Sequence, residues 1–104
     1  MVSIIYTYKN LPESDKAFLE KYLATKVDRL STLVKSFAGA VCRLEVRAEK
    51  FATKSAYKIG MQLHLSGHQI IAEEDDHTVV EATDLALDKL IIQLRKLVDK
   101  KNKK

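Results

Sequence analysis

A single cysteine, Cys42, occurs in the 104 residues, so no internal disulfide can form. One proline and three glycines leave little material for a flexible linker between domains. No apolar run approaches the roughly 20 residues needed to span a bilayer. The first ten residues, MVSIIYTYKN, lack the basic segment, apolar stretch and small-residue cleavage site of a secretory leader, so a cytoplasmic protein is expected. His64, His68 and His77 form no cluster with zinc spacing, although His64 and His68 flank a predicted hairpin turn and could approach one another. The acidic run of residues 73–76 lacks the glycine and spaced carboxylates of a calcium loop. No nucleophile–base pair, phosphate loop or dinucleotide fingerprint is present. Catalysis, a resident metal and a cofactor are therefore not expected.

What is present suits one ordinary domain. Hydrophobic residues make up 46% of the chain, enough for one core, and charged residues 31%. The net charge of +4 is unevenly placed. Residues 89–104 hold seven basic side chains against Asp99 alone, a net +6, which leaves −2 on the other 88 residues. A basic end on a near-neutral body points to a polyanionic partner, nucleic acid or an anionic membrane. It is also what a solvated helix end looks like, since cations favour the C-terminal dipole.

Residues 2–9 alternate in polarity, with Val2, Ile4, Tyr6 and Tyr8 on one side, which is a strand pattern. After Pro12, a residue suited to helix starts, Phe18, Leu19, Tyr22, Leu23, Val27, Leu30, Leu33, Val34 and Phe37 follow helical spacing until Gly39. Residues 41–49 and 57–65 alternate again. Ser66-Gly67 signals a hairpin, and a fourth strand runs from His68 to about Ala72, closed by the acidic run. Thr78 and Glu81 match a capping box. The long helix that follows has Val80, Thr83, Leu87, Leu90, Leu94 and Leu97 as its apolar stripe, with Leu85 and Ile92 pointing outward. The order β-α-β-β-β-α with one-sided alternation predicts an α+β two-layer sandwich, a four-stranded sheet with both helices on one face. Cys42, Leu44, Val46, Ile59, Leu63, Leu90 and Leu94 are the expected core, and burial should make Cys42 slow to react with thiol reagents.

On the last helix, Lys89, Lys96 and Lys100 fall within roughly 40° of one another at 100° per residue, making a basic ridge beside Gln93. Residues 81, 84 and 88 are acidic, so charge is segregated along this helix rather than mixed. Such a ridge can match RNA phosphates. In the first helix, Lys26 sits inside the apolar arc between Tyr22 and Leu30, and Arg29 lies at its margin. Lys26 has two readings, a lysine whose stem lies on apolar neighbours and a cation aimed at phosphate from the groove between the helices. In the second reading Lys26 and Arg29 extend the ridge into one continuous positive surface.

The element order, together with Asp84, Asp88-Lys89-Leu90, Gln93-Leu94 and Lys96, resembles the ribosome hibernation-promoting factor and ribosome-associated inhibitor family, also called sigma-54 modulation proteins. The segment Ala24-Thr25-Lys26-Val27-Asp28-Arg29-Leu30 is similar to the family's first helix. The resemblance implies a single ribosome-binding domain over residues 1–104 with a short basic tail from about residue 100, of the short form. It implies binding at the decoding region of the small subunit, where mRNA and tRNA sites would be blocked and translation inhibited. By position it nominates Lys26, Arg29, Lys89, Lys96 and Lys100 as rRNA-binding residues, and Arg95 joins them on charge. The family's usual arginine before the glutamine is Ile92 here, its first-turn tyrosine is Val80, and Leu97-Val98 replaces a more basic stretch. The expected partners are the small ribosomal subunit, the whole ribosome and rRNA, with no membrane and no small-molecule substrate, and the free protein is expected to be a monomer. A general double-stranded RNA-binding module and a protein–protein regulator of transcription are the competing readings.

Overall fold

The two periodicities resolve into β1 (Val2–Lys9), α1 (Glu13–Val34), β2 (Cys42–Lys50), β3 (Tyr57–Leu65), β4 (His68–Asp76) and α2 (Val79–Asn102). The computed structural model describes residues 2–34, 42–53, 55–65 and 67–102, apart from the side chains of Val2, Ser31, Leu33, Val34, Cys42, Lys101 and Asn102. The expectations for Phe37, for the Gly39 stop and for the side chains of Leu33, Val34 and Cys42 lie outside the described residues.

Local chemistry sets the element ends. The Pro12 carbonyl accepts hydrogen bonds from the amides of Asp15 and Lys16, both at 3.0 Å, and so opens α1. Glu13 and Asp15 in its first turn suit the positive end of the helix dipole. The Glu81 amide donates to Thr78 Oγ1 at 3.1 Å, the threonine half of the capping box. Leu65 pairs with His68 across a two-residue turn, and Gly67 supplies the required positive φ of 76°.

The sheet has the order β1-β2-β3-β4. Because α1 carries the chain across the sheet, β1 runs parallel to β2, from Val2 opposite Cys42 to Lys9 opposite Glu49. The tight connections make β2, β3 and β4 an antiparallel meander. α2 packs over β3 and β4, while α1 lies beside it towards β1, so both helices cover one face. This is the α+β sandwich that the alternation predicts. Leu44, Val46, Ile59, Leu63, Leu90 and Leu94 are all fully enclosed between the layers.

Three elements depart from expectation. β4 does not close at the acidic run but continues to Asp76, because Glu73, Glu74, Asp75 and Asp76 pair in register with Gly60, Ile59, Lys58 and Tyr57. An edge strand tolerates carboxylates that reach water. Phe18 is 44% exposed and stacks on Tyr22, with centroids 5.7 Å apart, rather than entering the core. The buried arc of α2 is wider than the predicted stripe: Val79, Ala82, Ala86 and Ile91 are buried, while Val80 and Leu97 are only half-buried. Alanines add little to an apolar pattern yet allow the backbone to approach its neighbours closely.

Thr83 is fully buried on this arc, and its hydroxyl has no hydrogen-bond partner among the described residues. Desolvating an unpaired hydroxyl costs about 1–3 kcal/mol. Thr83→Val keeps the branched shape and removes that cost. It should raise stability by about 1 kcal/mol in chemical denaturation, and a loss of that size would show that the hydroxyl is satisfied.

Candidate nucleic-acid interface

A polyanion needs cations that are not already neutralised, and among the described residues of the uncovered sheet face only Arg47 lacks a carboxylate partner. Lys9, Arg43, Arg47 and Lys58 share that face with Glu45, Glu49, Glu73 and Asp75, four of each sign. Lys9 pairs with Glu49 at 3.7 Å, Arg43 with Glu45 at 3.8 Å and Lys58 with Glu73 at 3.5 Å. His64 also contacts Glu45 on this face. His68 is opposite Leu65, a core-facing residue, so the two histidines project to opposite sides of the sheet and do not meet.

The helical layer is different. On α2, Asp84 and Asp88 face α1: Tyr22 Oη donates to Asp84 Oδ1 at 2.7 Å, and Arg29 Nη1 pairs with Asp88 Oδ1 at 3.6 Å. Lys26 Nζ sits 5.3 Å from the centroid of the Tyr22 ring, a cation–π contact at the seam between the helices. Its stem is half-buried, and among the described residues it has no ion pair. On the other flank of α2, Lys89 pairs with Glu74, and Gln93 Nε2 donates to the Ile71 carbonyl at 2.9 Å. These two contacts fasten α2 along the β4 edge. Lys96 and Lys100 continue the same flank past Gln93, next to Gln69 and Ile70.

The nominated cations therefore occupy two strips rather than one continuous surface. Residues seven apart lie nearly in line on a helix, about 20° off. Lys96 thus follows Lys89 on the β4 side, and Arg95 follows Asp88 on the α1 side with Lys26 and Arg29. Leu85 and Ile92, 42% and 53% exposed, lie between the strips and point to solvent as expected. Two of the six cations have acidic partners, Arg29 through Asp88 and Lys89 through Glu74. Among the described residues, Arg95, Lys96 and Lys100 have none, and all three are exposed.

Sequence reasoning missed Glu74. Extending the alternation of β4 through the acidic run would have found Glu74, since it places residues 70, 72 and 74 on the helix face.

Tyr22 also reports on how the helices are joined. Its hydrogen bond to Asp84, with burial second, holds its pKa above the ordinary 10. A group whose pKa is raised by folding adds stability in full below its unfolded value, and that contribution is lost as pH climbs through the folded value. The native chain should therefore lose stability above about pH 10 more steeply than Tyr22→Phe. At neutral pH the variant should be weaker by about 1 kcal/mol. Parallel alkaline titrations followed by circular dichroism would contradict this if the two curves superimposed.

Two solved structures share this architecture. The N-terminal domain of Protein Y from Thermus thermophilus aligns with a TM-score of 0.64 and 20% identity, over 91% of this chain and 98% of that one. A ribosomal subunit interface protein from Coxiella burnetii aligns with a TM-score of 0.64 and 18% identity, over 93% and 97%. At these identities the likeness is one of fold. No curated protein matches the chain. The family described as Sigma 54 modulation protein / S30EA ribosomal protein matches residues 4–102, nearly the whole sequence and every element of the sandwich, and the chain belongs to that family.

Proposed function

We propose that this chain is a ribosome hibernation factor that binds the small ribosomal subunit at the decoding region, occupies the mRNA and tRNA sites and inhibits translation. The observation that carries the reading is the distal half of α2, where Arg95, Lys96 and Lys100 stand exposed with no carboxylate partner among the described residues. Family membership supports it, and so does the fold shared with a ribosomal subunit interface protein. In this reading Arg95, Lys96 and Lys100 meet rRNA phosphates first. Lys26 adds a fourth cation from the helix seam. Arg29 and Lys89 mainly brace α2 against α1 and β4, and reach RNA only by exchanging Asp88 and Glu74 for phosphate. The charge-balanced sheet face stays turned away from rRNA. The protein acts as a monomer, without catalysis and without a cofactor.

Sedimentation with separated subunits at two salt concentrations tests the proposal. The chain should pellet with small subunits, and the bound fraction should fall steeply with salt because each phosphate contact releases counterions. Equal binding to small subunits and to naked duplex RNA would favour a general double-stranded RNA module. Salt-insensitive binding would count against both.

A further inference from the structure

A groove of about 310 Å³ lies between the start of β4 and the last turns of α2. Its floor is apolar, from Ile70 and Leu97. Gln93 brings a side-chain amide to its wall, His68 and Gln69 complete the lining from β4, and Lys96 and Lys100 border it. Four other hollows on the described surface each have at least one carboxylate in their lining. This one has two lysines and no carboxylate. We propose that the groove takes one unstacked nucleotide of single-stranded RNA, a site that rests on the ribosomal reading above and specifies the form of RNA it engages.

The apolar floor, the Gln93 amide and the two lysines each have a use for such a ligand. A base buries its faces against apolar side chains and offers donors and acceptors at its edge. Gln93 is already held by its bond to the Ile71 carbonyl, which fixes the amide before a ligand arrives. That amide has a second N–H and a carbonyl oxygen to offer. The lysines stand where the phosphates flanking an inserted base would run. The volume is at the low end for ligand sites, suited to one base rather than two. Inorganic phosphate would use the lysines and leave the floor and the Gln93 amide idle. A duplex keeps its bases stacked, so it would touch the rim alone.

Nuclear magnetic resonance titrations of the whole chain would test this, with oligoadenylate, oligouridylate, a blunt RNA duplex, inorganic phosphate and an acidic leucine-containing peptide as probes. The single-stranded probes should shift the side-chain amide of Gln93 and the methyls of Ile70 and Leu97. Duplex and phosphate should shift only signals around Lys96 and Lys100. Gln93 is exposed, so Gln93→Leu, which keeps the stem and loses the amide, should fold. It should weaken single-strand binding about threefold to tenfold and leave duplex binding unchanged. The proposal is overturned if phosphate or duplex moves the floor signals equally, if Gln93→Leu weakens both RNAs alike, or if the peptide displaces the oligonucleotides. Sedimentation run in parallel separates the two readings. Salt-sensitive subunit binding without floor shifts sinks the groove alone. Floor shifts without subunit binding sink the ribosomal reading alone.

Discussion

Replacing Arg95, Lys96 and Lys100 together by glutamine is expected to lower affinity for the small subunit on the order of a hundredfold at low salt. The logarithmic salt dependence should become shallower by about two to three units, because three fewer phosphates are neutralised. The three side chains are exposed and have no ion partner among the described residues, so their field is free to act outside the protein. Glutamine keeps most of each stem and the helix propensity, so stability should change by no more than about 0.5 kcal/mol. The control is a second triple, Lys9, Arg47 and Lys58 to glutamine, which removes the same charge from the uncovered sheet face. Lys9 and Lys58 are already paired with Glu49 and Glu73, so this variant should bind nearly as well as the native chain. Equal losses from the two triples would mean that only net charge matters and that α2 is not the interface. No loss from either would remove the charge argument for ribosome binding.

The contrast between these triples rests on what the sequence can and cannot reveal. The alternation of residues 42–50 and 57–65 is visible because each strand buries one face, and the parallel β1–β2 pair follows from the intervening helix. Thr78 and Gly67 announce their roles because the cap and the hairpin need those residue types. The acidic end of β4 was hidden because edge-strand carboxylates read as a loop, and the extent of a strand there is decided by its partner, Tyr57 to Gly60. Misreading that segment had a consequence at the interface. Glu74, taken as part of a terminating run, is the residue that engages Lys89. Charge along a helix can be counted from sequence, but whether a cation is neutralised depends on elements far away in the chain: residue 74 for Lys89, and residue 88 for Arg29. The same holds for Gln93, whose partner is a backbone carbonyl 22 residues away.

Leu90→Ala should be the most damaging single substitution proposed here for stability, at about 3 kcal/mol. Leu90 is fully enclosed near the middle of the buried arc of α2, among a core that includes Ile59, Met61, Leu63 and Leu94. Truncation removes buried apolar surface and leaves a cavity that the sheet, tied by three ladders, can collapse into only partly. In a domain of about 100 residues, each kcal/mol lowers the melting temperature by roughly 4–8 °C, so calorimetry should show a fall of about 12–24 °C. Leu85→Ala is the matched control. It deletes the same atoms from the same helix at a position that is 42% exposed, and should shift stability by no more than about 0.5 kcal/mol. A fall under about 1 kcal/mol for Leu90→Ala would mean that α2 is not seated on the sheet as described. The variant also isolates what α2 contributes to binding. Every cation remains, so well below its melting temperature Leu90→Ala should sediment with small subunits as the native chain does. As temperature rises, its binding should fail together with the cooperative loss of helix, at the same midpoint. A separate, earlier loss of binding would mean that the interface depends on a local packing of α2 that charge alone does not describe.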